Sequence, residues 1–76
     1  MLNIDEADPK VLKKLANYVM PFGKYKGQKL LYIPEEYFLW FNKQGLPNGE
    51  LGIYMHMMME LKMENLAELL KPLENQ

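Results

Sequence analysis

Pro21-Phe22-Gly23-Lys24-Tyr25-Lys26-Gly27 is the stretch of this chain whose residue types and spacing best suit binding an anion. Gly23 and Gly27 let backbone N–H groups turn towards a ligand. Lys24, Lys26 and Lys29 supply charge, and Tyr25 offers a flat face on which a base can stack. Lys10, Lys13 and Lys14 add positive charge from upstream, and together these residues read as a nucleic-acid contact. In an extended segment Lys24 and Lys26 would point to one side and Tyr25 to the other, so only one kind of group would face a given ligand. The pattern is not a P-loop, because the glycine spacing is wrong and no Ser or Thr follows the lysine. The plainer assignment is that the glycines shape a turn, Phe22 and Tyr25 pack inward and the lysines are solvated.

Other chemistries are poorly supplied. The chain has no Ser, Thr, Cys or Arg. The common nucleophiles of acyl transfer are therefore missing, and so is the forked guanidinium clamp for phosphate. His56 is the single histidine, so neither a zinc site nor a copper site with the neighbouring methionines is expected. Glu35 and Glu36 are adjacent at a helix start and face different ways, while Glu60, Glu64 and Glu68 make an ordinary solvated face. The expectation is a binding protein with no catalytic residues, no metal and no cofactor.

A second unusual stretch is Tyr54-Met55-His56-Met57-Met58-Met59. Apolar residues on every side of a helix imply burial all round or a partner, and methionine suits adaptable contacts. Met55, Met57, Met58 and Met59 therefore define an alternative function, a protein-interaction module that self-associates or holds a partner through this helix.

The elements that must position these residues follow from local signals. Asp8 as N-cap and Pro9 in the first turn open a helix carrying Val11, Leu12, Leu15 and Val19 on one face, stopped by Pro21. Gly23, Gly27 and the apolar run Leu30–Ile33 predict a short β-hairpin around residues 20–33. Pro34 opens a second helix with Glu35 and Glu36 in its first turn and Gly45 at its end. Tyr37, Trp40 and Phe41 are expected in the core, with Phe38 left near the surface. A third helix runs from about Glu50 to Leu61. Asn65 is expected to cap a short terminal helix ended by Pro72, the alternative being one helix from 50 to 71. The fold class expected is α+β, mostly α: three or four short helices and one hairpin in a single domain spanning residues 1–76.

Charge is partitioned along the chain. Asp5, Glu6 and Asp8 precede six lysines within residues 10–29, and five glutamates outnumber two lysines from residue 50 onward. The zones either polarise the surface or neutralise each other within one molecule or across a dimer. With no basic-then-apolar opening and no run long enough to span a bilayer, a cytoplasmic protein without membrane contact is expected.

Four pieces of the chain carry a family resemblance: Met20–Gly27, Ile33–Phe41, Gly49–Gly52 and Leu69–Leu73. Together they resemble a short bacterial family labelled as a putative quorum-sensing-regulated virulence factor. Phe38 departs from the pattern, since a small or charged residue is commoner there. The label records a regulatory setting and no biochemical activity. Similar modules occur appended to exonuclease domains of the ribonuclease-T-like kind, which implies an accessory, nucleic-acid-contacting role; no catalytic residue of those exonucleases is carried over.

Overall fold

The computed structural model describes residues 8–74, so Asp5 and Glu6 of the acidic opening lie outside them. Three α-helices, α1 (Pro9–Asn17), α2 (Glu35–Gln44) and α3 (Glu50–Met63), are accompanied by two 3-10 segments, Leu30–Tyr32 between α1 and α2 and Ala67–Leu73 after α3. No strand occurs among the described residues; the pairing of Val19 with Lys29 is a single antiparallel bridge. The fold is all-α, and the expected hairpin is replaced by a looped turn.

The reason lies in the residues expected to form it. Gly23 and Gly27 both adopt positive φ, +79° and +89°, and curl the chain through two tight turns, Lys26 N–H to Gly23 O and Gln28 N–H to Tyr25 O. Little length is left for a ladder. Beyond it, Leu30, Leu31 and Ile33 are all buried while Tyr32 is exposed. An extended strand alternates sides and would have put half of that apolar run in water. Coiling it into a 3-10 turn buries all three.

Helix boundaries follow side-chain chemistry. Asp8 accepts the Lys10 N–H at 2.8 Å and Pro9 occupies the first turn of α1. The helix closes at Asn17, before Pro21 can act, so Val19 is not helical and is exposed. Gly45, with φ +102°, ends α2. α3 runs to Met63 and closes on Asn65 in the left-handed conformation (φ 60°). The Leu66 N–H reaches Leu61 O at 2.8 Å and the Asn65 N–H reaches Lys62 O at 3.2 Å, the paired bonds that satisfy terminal carbonyls. Asn65 thus ends α3 rather than capping a new helix, and Pro72 sits inside the closing 3-10 segment instead of after it.

The core draws on every element. α1 packs on both 3-10 segments and α2 on α3, while α3 also meets both 3-10 segments. Surrounded in this way, α3 buries Tyr54, Met55, Met58, Met59 and Leu61, which accounts for an apolar circumference in so small a domain. Two of the expected aromatic placements are exchanged. Phe38 is fully buried (0% exposed) and Trp40 is 55% exposed. At about 100° per residue they lie some 200° apart on the helix, and packing against α3 selects the Phe38 side.

Among the glycines, Gly52 is the one where an added side chain would meet its neighbours most closely. A Cβ there would overlap the Pro47 carbonyl oxygen, a backbone group that cannot swing aside. Gly52→Ala is expected to lower stability by about 2 kcal/mol, a fall in Tm on the order of 10 °C. A urea midpoint equal to that of the parent protein would contradict this packing.

Candidate functional site

The loop 20–28 is fixed at its base and free at its crown. Met20 N–H donates to Gln28 O at 2.8 Å, Gly27 N–H to Met20 O at 2.9 Å, and Leu30 N–H to Tyr18 O at 2.9 Å. Met20 and Leu30 are both fully buried and anchor the two limbs. The crown, Phe22 to Gln28, is exposed apart from Tyr25, which is half-buried.

The crown leans on α2. Tyr25 meets Tyr37 edge-on at 4.8 Å between centroids, and Phe22 lies 6.4 Å from Phe41. A Cβ added at Gly23 would stand 3.3 Å from the Tyr37 hydroxyl. With φ +79° as well, Gly23 is required for both conformation and contact. Between loop and helix runs an open groove of about 650 Å³ lined by Phe22, Gly23, Lys24, Tyr37, Trp40, Phe41 and Gln44, within the range of small-ligand sites. Lys24 is the only charged lining residue among the described residues, and its Nζ lies 5.5 Å from the Tyr25 ring centroid, a cation–π contact.

The residues expected to bind nucleic acid fall into three groups. Lys24, Tyr25 and Lys26 come together at the crown. The loop is not extended there, so the strict separation of lysines from Tyr25 does not hold. Lys10 and Lys13 are exposed on α1 and make no ion pair with any described residue. Lys14 and Lys29 are engaged elsewhere. The Lys14 ammonium pairs with Glu50 and lies 5.7 Å from the Tyr54 ring. Lys29 Nζ bonds Glu74 at 3.1 Å and Asn17 Oδ1 at 3.3 Å, and is partly buried. The basic front of the chain is thus partly neutralised by its acidic back within one molecule.

Of the methionines named as a partner surface, Met55, Met58 and Met59 are buried and Met57 is half-buried. The exposed apolar residues on α3 are Ile53 and Met63. Phe22 and Trp40 are the functional candidates that sequence reasoning missed. Phe22 is 43% exposed beside Lys24, and the signal available was four aromatics crowding α2, too many for one buried face. A second cleft, lined by Glu35, Lys62, Asn65, Ala67 and Glu68, has Lys62 Nζ tied to the Leu31 carbonyl at 2.8 Å. Burial pushes that ammonium below its ordinary pKa, partly offset by Glu35.

Geometry and sequence together describe a small all-α module presenting an aromatic groove beside a basic, glycine-shaped loop. Residues 8–73 match the family described as "Putative quorum-sensing-regulated virulence factor", and the chain belongs to that family. It is 48% identical over 64 residues to "Uncharacterized protein YpeB" of Escherichia coli strain K12, covering 83% of this chain and 89% of that protein. The same figures hold for the protein of that name from Escherichia coli O157:H7. No solved structure matches the chain. No helix among the described residues is long and apolar enough to cross a membrane.

The ion pairs Lys29–Glu74 and Lys14–Glu50 give a pH dependence of stability. The Tyr32 hydroxyl and then Lys29 hold the Glu74 carboxyl below its ordinary pKa, and a hydrogen bond from Lys14 does the same to Glu50. A carboxyl titrating lower in the folded state contributes fully above its unfolded value, near 4.3, and loses that contribution as pH falls through the folded value. Urea midpoints are therefore expected to fall below about pH 4. A Glu50→Gln/Glu74→Gln variant should be less stable at pH 6 and show a shallower acid limb; a limb unchanged in slope would contradict the two pairings.

Proposed function

We propose that this protein is a non-catalytic accessory module that contacts nucleic acid through the crown of the 20–28 loop and the aromatic groove beside it. The observation that carries the reading is the placement of exposed Phe22 and Trp40 next to Lys24 in one groove. Aromatic faces beside cationic side chains are the combination that holds bases by stacking and phosphates by charge. Lys24 and Lys26 supply the local charge, and Lys10 and Lys13 contribute from α1. Lys14 and Lys29 act instead as structural cations, and Tyr25 braces Tyr37 rather than serving as the main stacking ring. The non-catalytic part of the reading rests on composition, since Ser, Thr and Cys are absent and His56 is exposed with Glu60 3.7 Å away along its own helix.

The alternative, a protein-interaction module working through Met55, Met57, Met58 and Met59, has less support. Three of those side chains already fill the core. They could reach a partner only if α3 left its place.

Anisotropy of a labelled single-stranded oligonucleotide, titrated at about 50 and 200 mM salt, tests the proposal. Two to three phosphate contacts imply binding that weakens roughly 5- to 20-fold between these conditions. Lys24→Ala/Lys26→Ala should weaken binding and flatten the salt slope, whereas Lys29→Ala should lower stability and leave affinity unchanged. Absence of binding at the lower salt would refute the nucleic-acid reading.

A further inference from the structure

The groove is built for a flat ligand with an anionic edge. Its floor is Tyr37 and Phe41, both half-buried, and its rim is Phe22 and Trp40, both exposed. Phe41 joins the two rim residues, 6.4 Å from Phe22 and 5.8 Å from Trp40 between centroids. Tyr37 lies nearly parallel to Trp40 at 6.1 Å (29°) and edge-on to Phe41 at 5.8 Å (75°). Each ring is thus braced by another, so little freedom remains to be lost when a ligand enters. A Cβ at Gly23 would stand 3.3 Å from the Tyr37 hydroxyl, so glycine there leaves the loop room to lie at this distance from α2.

The polar groups narrow the ligand further. The polar groups of the lining are the Lys24 ammonium, the Gln44 amide, the Tyr37 hydroxyl and the Trp40 indole N–H, and no carboxylate is among the described lining residues. A quaternary ammonium would find aromatic faces but also a like charge and no counter-ion. A planar group attached to a phosphate finds a matching partner for each half. Within a duplex the faces of the bases are covered by their neighbours, whereas an unpaired base offers both.

Building on the nucleic-acid reading above, we infer that the groove takes one unpaired base of a single strand. The base rests against Trp40 and Phe22, and the adjoining phosphate faces Lys24. The substrate class is single-stranded nucleic acid, and duplex is excluded from the groove. Trp40 is the residue that makes the distinction.

The test compares three labelled probes of about 12 nucleotides: a single strand, the same strand annealed to its complement, and a strand of equal charge carrying abasic positions. Anisotropy is read for the parent protein, Trp40→Ala and Trp40→Phe, with circular dichroism confirming that each variant folds. The single strand should bind at least about tenfold more tightly than the other two probes, and Trp40→Ala should weaken it roughly 5- to 150-fold. Trp40→Phe should restore most of that loss. The salt slope should stay the same in Trp40→Ala, because the phosphate contacts remain. Equal binding of all three probes, indifferent to Trp40→Ala, would overturn the base-in-groove inference while leaving nucleic-acid binding intact. Failure of every probe to bind at low salt would remove both readings and leave the groove to a protein ligand.

Discussion

Three backbone hydrogen bonds between residues 18–20 and 27–30 determine where everything else in this small domain can go. They pinch the nine-residue segment 20–28 into a closed loop, while Met20 and Leu30 fix its base in the core. The pinch delivers the chain from α1 directly into the Leu30–Tyr32 turn and sets the crown against α2. Without it Gly23 would not meet Tyr37, and Phe22 and Trp40 would not share a groove. A loop this rich in glycine is entropically costly to order. Its cost is offset by burial of the two anchors and by the contacts of Tyr25 and Phe22 with α2.

Charge distribution follows from the same arrangement. Of the six lysines in the basic front, Lys14 and Lys29 are used to hold the chain together, against Glu50 on α3 and Glu74 near the end of the chain. The Lys29–Glu74 pair is the less exposed of the two and is reinforced by Tyr32 and Asn17, whereas the Lys14–Glu50 pair is half-open to solvent and contributes modestly. Lys24 and Lys26 have no carboxylate partner among the described residues. The net charge of −1 therefore conceals a local excess of positive charge at the crown, which is the form of charge that matters for contact with a polyanion.

Much of the fold could be read from sequence where the signal is local. Asp8 and Pro9 mark the start of α1, Gly45 marks the end of α2, and α3 starts at Glu50, because each depends on a few neighbouring dihedrals and hydrogen bonds. The family could also be read, from the resemblance carried by the residues of its four pieces. Residues 20–33 misled because glycine permits both a hairpin turn and the two consecutive tight turns observed. The choice is made by the need to bury Leu30, Leu31 and Ile33 together, which is tertiary. The exchange of Phe38 and Trp40 has the same origin: periodicity shows that α2 has too many aromatics for one face, and only α3 decides which face is covered. The candidate site was half legible. Lys24 and Lys26 stand out by composition, but Trp40 is brought to them by packing between segments far apart in the chain.

If the loop crown and the exposed side of α2 form one binding surface, site-resolved chemical-shift mapping will show it most directly. In a titration of isotopically labelled protein with a short single-stranded oligonucleotide, the Trp40 indole N–H and the amides of residues 22–26 and 40–44 should move together along one binding curve. Shifts centred on Ile53 to Met57, with the Trp40 indole unmoved, would show that the molecule is recognised through α3 and that the groove is not its binding site.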